Sequence, residues 1–177
     1  MLTITVKESE CFDEKTQTFI YVPETQLQLE HSLIAISKWE QHFHKPYFSK
    51  ENKTRYEILY YIKCMTINKN VPKEVYFCLS KENIENIAKY IEDSATATTF
   101  SNDDRKGNSG SFITSELIYY WMTIYNIPFT ECQKWNLNRL LVLIKICNVK
   151  SQPEKKMSRN EVLRQHARIN KMRRSKH

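Results

Sequence analysis

Apolar and polar residues alternate from the second position: Leu2, Ile4 and Val6 stand against Thr3, Thr5 and Lys7. A period of two puts one set on a single face, which predicts a strand with one buried side. TFIYV (18–22) and LQLEH (27–31) are two further short extended runs, bounded by polar turns and by Pro23. Together they predict a small antiparallel hairpin or three-stranded ribbon over residues 1–31.

From Ser32 the period lengthens. In SLIAISKWEQHFH (32–44), Leu33, Ile36, Trp39 or Glu40, and Phe43 recur three and four apart, and Pro46 ends the run. TRYE (54–57) is a capping box, in which Thr54 and Glu57 satisfy each other's backbone N–H groups. The helix it opens is expected to turn Ile58, Tyr61, Ile62 and Met65 inward. PKEVYFCL (72–79) begins with Pro72, where a first helical turn accepts proline. SKENIENIAKYIED (80–93) has the sharpest amphipathic repeat, with Ile84, Ile87, Ala88 and Ile91 on one stripe.

The polar stretch 93–112 contains both glycines and predicts a surface loop. Beyond it, residues 114–127 and 130–149 read as helices. The second is apolar nearly all round between Leu140 and Ile146, which predicts the central core helix. SRNE (158–161) is another capping box, but Val162, Leu163, Ile169 and Met172 are too sparse to fix a helix without a partner. The predicted class is α+β, mainly α. A β element (1–31) packs on a helical core domain (32–149), and a basic, partly disordered or conditionally helical tail (150–177) follows.

Composition narrows the function. Two glycines in 177 residues leave no material for the Gly-rich turns that cradle phosphates and dinucleotides. The net charge of +7 is unevenly placed: residues 150–177 hold ten Lys/Arg and two Glu, so residues 1–149 are close to neutral. The start MLTITVKESE has neither the cationic nor the apolar region of a signal peptide, and no apolar run reaches membrane-spanning length. A soluble, intracellular protein is expected.

Catalytic chemistry finds little support in the residue pattern. His42 and His44 are two apart, so on a helix their rings diverge, whereas metal-binding pairs sit three or four apart. His31 lies at the strand-to-helix junction with no local carboxylate or cysteine cluster. Five cysteines form no C-x-x-C pair, and Cys64 and Cys147 lie in apolar runs where a thiol packs as a small hydrophobe. Asp103 and Asp104 fall in the polar loop. No enzyme, cofactor or metal site is expected.

Binding has better support. Tyrosines cluster at Tyr60-Tyr61 and Tyr119-Tyr120-Trp121, and adjacent rings on a helix cannot all face one core. Tyr60, Tyr119 and Tyr120 are therefore candidate partner contacts. In the tail, Lys155, Lys156, Arg159, Arg164, Arg168, Lys171, Arg173 and Arg174 form a basic arm with no aromatic residue after Trp135. It can fold on a protein partner, lie solvated, or neutralise nucleic-acid phosphates, although base stacking is not indicated.

Five segments carry a family resemblance: EHSLIAISKWEQHFHKPYF (30–48), YYIKCMTINKNV (60–71), YIEDSATATTF (90–100), ITSELIYYWMTIYNIPF (113–129) and CQKWNLNRLLVLIKICN (132–148), with QPEKKMSR (152–159) after them. In this order they resemble a family of tailed-phage proteins described as tail assembly chaperones. The resemblance implies a non-enzymatic protein of the infected bacterial cytoplasm. It would bind the tape-measure protein and tail tube subunits, with self-association possible, and be absent from the mature virion. Such chaperones are often also made in a longer, frameshifted form. The alternatives are a nucleic-acid-binding phage protein that uses the basic tail and a minor structural component of the virion. No membrane partner is implied.

Overall fold

The computed structural model describes residues 1–13, 17–98, 112–151 and 164. Residues Met1–Ile146 form one compact unit and Cys147–His177 a second. The β element and most of the helical body thus belong to one unit, and the architecture is α+β, mainly α.

Four strands build the N-terminal element: β1 (Leu2–Val6), β2 (Ser9–Asp13), β3 (Thr18–Val22) and β4 (Thr25–Leu29). β1 pairs antiparallel with β4, placing Val6 opposite Thr25, and β2 pairs with β3, placing Ser9 opposite Val22. Both ladders keep the same register, so they are two halves of one long hairpin. The interruption falls at Pro23, which has no N–H to donate and is tolerated only at such a break. The hairpin expectation holds, while β2 is an addition. SECFD escapes the alternation rule because Phe12, its largest apolar residue, faces solvent.

Ile4, Val6, Val22, Leu27 and Leu29 bury the hairpin's inner face. Residues 65–68 then cover the free edge of β4. The amide of Glu30 donates to the Met65 carbonyl and that of Ile67 to the Gln28 carbonyl, while Asn68 Oδ1 accepts from the Gln28 amide.

Seven helical segments follow among the described residues in the element order. They are α1 (Leu33–Phe43), α2 (Arg55–Met65), the single turn α3 (Glu74–Phe77), α4 (Lys81–Glu92), α5 (Ser115–Ile124), the single turn α6 (Phe129–Cys132) and α7 (Leu137–Ser151). Ser32, Thr54, Ser80 and Thr114 each accept an N-terminal backbone N–H, and the Thr54–Glu57 capping box is complete. The end of α1 is equally well defined. His44 adopts the left-handed conformation at φ 54° and its amide closes on the Glu40 carbonyl at 2.8 Å.

The core differs from the sequence expectation in three places. On α2, Leu59 is buried and Ile58 is 40% exposed, so Ile58 is not a core residue. On α4 only Ile87 is buried, while Ile84 and Ala88 are exposed. A two-stranded ribbon is narrow, and a helix lying against β1 finds little sheet to cover. The segment 130–149 is not one central helix: it breaks between α6 and α7, and α7 buries a single stripe of Leu137, Leu140 and Ile144. The centre belongs to α1, whose Leu33, Ala35, Ile36, Trp39 and Glu40 are all buried.

Glu40 fixes α5 to this centre. One carboxylate oxygen accepts from the Tyr47 amide at 2.8 Å, and the other accepts from the amide (2.8 Å) and hydroxyl (2.5 Å) of Ser115. Ser115 opens α5, so Glu40 fills one of the donor positions that every helix N-terminus leaves unmade.

Candidate interaction groove

Because α1 buries Trp39 and Glu40, Lys38, Gln41 and His42 turn outward along its edge. On α2 the buried set Leu59, Tyr61, Ile62 and Met65 likewise leaves Tyr56, Tyr60 and Lys63 at the surface side. Residues on one face of a helix are three or four apart, which brings Lys38 beside His42 and Tyr56 beside Tyr60 and Lys63. The turn α3 adds Tyr76 and Phe77, with Lys73 just before it.

Two cavities result, and Tyr60 and Lys63 line both. One, of 380 Å³, is lined by Lys38, Gln41, His42, Tyr60, Lys63 and Cys64. The other, of 170 Å³, is lined by Tyr56, Leu59, Tyr60, Lys63, Lys73, Tyr76 and Phe77. The His42 and Tyr60 rings stack between them with centroids 4.0 Å apart and planes 13° apart. Phe43 meets Tyr60 and Tyr56 edge-on, at 5.3 and 5.9 Å. The Lys63 ammonium lies 5.7 Å from the centre of the Tyr60 ring, within cation–π range.

The groove carries cations without opposing acids at its middle: among the described residues, Lys38 and Lys63 make no ion pair, and Lys73 meets only Glu74 at 3.9 Å. Burial pushes the Cys64 thiol up to about 11, although Lys38 and Lys63 act against the shift. Cys64 therefore stays a thiol at neutral pH and supplies no thiolate nucleophile. Burial also raises the Tyr60 hydroxyl. The chemistry on offer is ring contact, apolar filling and attraction for carboxylates.

Behind the groove lies a closed aromatic network. Trp39 Nε1 donates to the Glu57 carbonyl at 3.0 Å, and Lys53 sits 4.4 Å over the Tyr47 ring. His31 Nδ1 is 2.5 Å from the Tyr61 hydroxyl, which also bonds the Tyr47 hydroxyl. Burial lowers the His31 pKa to about 4, outweighing the pull of Glu30, so the ring is neutral at pH 7. His31 is a core hydrogen-bonding residue, and His44 is a helix cap.

The sequence-predicted tyrosines do not share one cavity. Tyr60 lies in the groove. Tyr119 and Tyr120 are on α5 and line neither cavity. Tyr120 is exposed as expected, whereas Tyr119 is half-buried, donates to Gln133 Oε1 at 3.1 Å and packs edge-on against Phe129. Arg164 is helical and exposed. Lys155, Lys156, Arg159, Arg168, Lys171, Arg173 and Arg174 lie outside the described residues.

Sequence reasoning missed Lys38, Lys63, Tyr56 and Phe77, and set His42 aside. The spacings Lys38/His42 and Tyr56/Tyr60 were available as a signal, but they identify a groove only once α1 and α2 are known to be adjacent. It also missed a second apolar surface on the outer half of the hairpin. There Phe12 and Phe19 are exposed with rings 5.1 Å apart, beside Tyr21, whose hydroxyl donates to Glu8.

Among the described residues, no group of three metal-ligating side chains occurs, and no helix is long and apolar enough to cross a membrane. Compared with known proteins, the chain matches no family model, no curated protein and no solved structure.

Proposed function

We propose that this protein is a non-enzymatic tail assembly chaperone of a tailed phage. It acts in the cytoplasm of the infected bacterium and leaves before the virion is complete. Its partners are the tape-measure protein and tail tube subunits. The observation that carries a binding role is the set of large apolar side chains held in solvent by a well-packed core: Tyr56 and Phe77 in the groove, Phe12 and Phe19 on the hairpin, and Tyr120 on α5. Surfaces of this kind mark protein contacts, and several separated ones suit a factor that coats a long partner through many weak contacts. The phage assignment itself rests on the family resemblance of the sequence.

Co-expression with a tape-measure protein and a tube protein of the same source tests this reading. The tape-measure protein should remain soluble and co-purify, and mass spectrometry of purified virions should lack this chain. Absence of any tail protein from the complex, together with presence in virions, would refute it. Charge segregation supports a second reading, in which the basic segment 150–177 binds nucleic acid. On that reading the full chain binds DNA and captures no tail protein, and removing the segment abolishes the DNA binding.

A further inference from the structure

The groove between α1, α2 and α3 has a chemistry specific enough to define its occupant. We infer that it takes an acidic amphipathic helix from a protein partner. One large apolar side chain of that helix sits among Tyr56, Tyr60 and Phe77, while its carboxylates meet Lys38, Lys63 and Lys73. The inference rests on reading this face as a protein interface and is independent of the phage assignment.

Three observations lead to this occupant. The first is charge: three lysines frame the apolar walls, and Lys38 and Lys63 have no carboxylate partner among the described residues. A partner that brings acids gains on approach, and a basic one is repelled. The second is size. The 170 Å³ cavity exceeds the roughly 150 Å³ that encloses a benzene-sized ligand, so it accepts one aromatic or branched aliphatic side chain. A single side chain in a pocket, flanked by charges one helical turn away, is how amphipathic helices dock in grooves.

The third observation is ring orientation, which disfavours single-stranded nucleic acid. Bases need open ring faces to stack on. Here Phe43 meets Tyr56 at 80° and Tyr60 at 82°, so these contacts join edges to faces. The one parallel stack, His42 on Tyr60, is already made within the protein. Tyr60, which lines both cavities, thus has one face already taken, and what the groove adds is apolar depth and positive charge.

The test uses the full chain and a fluorescein-labelled peptide of about 18 residues, helical and Glu-rich, with one Phe on its apolar stripe. Because the basic tail also attracts acids, the readout is the effect of changes in the groove. Lys63→Glu and Phe77→Ser should each weaken binding about tenfold or more. Both residues are exposed, so melting should move by no more than about 2 °C. Replacing the peptide's Phe by Ser should cost a similar factor, and replacing its Glu by Lys should abolish binding.

Unchanged affinity in both protein variants overturns the inference. So does displacement of the peptide by an oligothymidylate of about 12 nucleotides whose own binding is lost in Tyr60→Leu. A concentration-dependent dimer that Lys63→Glu dissolves would instead assign the groove to a second copy of this chain. Peptide affinity indifferent to Lys63 and Phe77, with tail-protein capture retained, removes this inference and leaves the proposed function standing. Peptide binding without tail-protein capture does the reverse.

Discussion

Truncating Glu40 should loosen α5 from the body. Its carboxylate is 7% exposed and accepts three hydrogen bonds, two of them from Ser115, which is fully buried. In Glu40→Ala the Tyr47 amide is half-buried and can turn to water, but the Ser115 amide and hydroxyl have no such recourse. A buried donor left unmade costs about 1–3 kcal/mol, and rotation of the hydroxyl recovers part of one, so the net loss is about 3 kcal/mol. With a urea m-value of about 2 kcal/mol/M, the midpoint falls by about 1.5 M. Glu40→Gln keeps one acceptor oxygen and should lose about half as much. In a Ser115→Ala background the Glu40→Ala cost should shrink by about 1 kcal/mol, since the hydroxyl bond is already gone. Urea unfolding followed by circular dichroism and tryptophan fluorescence measures all four variants. A midpoint unchanged in Glu40→Ala, or equal costs with and without the Ser115 hydroxyl, would refute the tether.

Three other outcomes follow from the same geometry. His31 titrates at about 4 when folded and near 6.5 when unfolded, so the unfolded chain binds the extra proton between these values. Its contribution is complete above pH 6.5 and is lost as pH falls toward 4. His31→Gln should therefore lose about 2.5 kcal/mol less than the wild type between pH 7 and pH 4.5, read from paired urea midpoints. Thr54→Ala removes the side chain that accepts from the Glu57 amide at 3.3 Å, and should cost about 1 kcal/mol by the same assay. Tyr120→Ser, at a site 60% exposed, should shift stability by less than about 0.5 kcal/mol. A larger loss would mean that this ring packs in the core.

The helices were legible wherever local chemistry sets them. TRYE marks Thr54 as a cap and Thr54 caps α2 in the structure, while Ser32, Ser80 and Thr114, not read as caps, do the same for α1, α4 and α5 within three residues. The hairpin was legible because Leu2, Ile4 and Val6 keep strict alternation. Burial was less so. The repeat on α4 is the sharpest in the chain, yet it buries only Ile87, because what a helix covers depends on the width of what it meets. Leu140 to Ile146 is apolar all round, but only the stripe that touches the body is buried. The groove was least legible, since its walls come from three segments and its lysines look like any solvated positions until Tyr60 and Phe77 stand between them. His42 was set aside on an argument about the spacing of metal ligands. Its role is to stack on Tyr60, which a search for ligand spacing does not detect.

The break at Pro23 divides the hairpin into halves of unequal permanence. The inner ladder, β1 with β4, is sealed by Ile4, Val6, Leu27 and Leu29 and flanked by residues 65–68. In the outer ladder, Val22 is the buried anchor, and Phe12 and Phe19 face water. Amide hydrogen exchange should therefore differ between the two ladders. The amides of Ile4 and Leu27 exchange only through global unfolding, whereas those of Phe12 and Phe19 exchange through a local opening that leaves the body folded. The hairpin is an arm with a fixed shoulder: its inner half shares the core of the body, and its outer half is held to that core chiefly through Val22, with Cys11 packed against it.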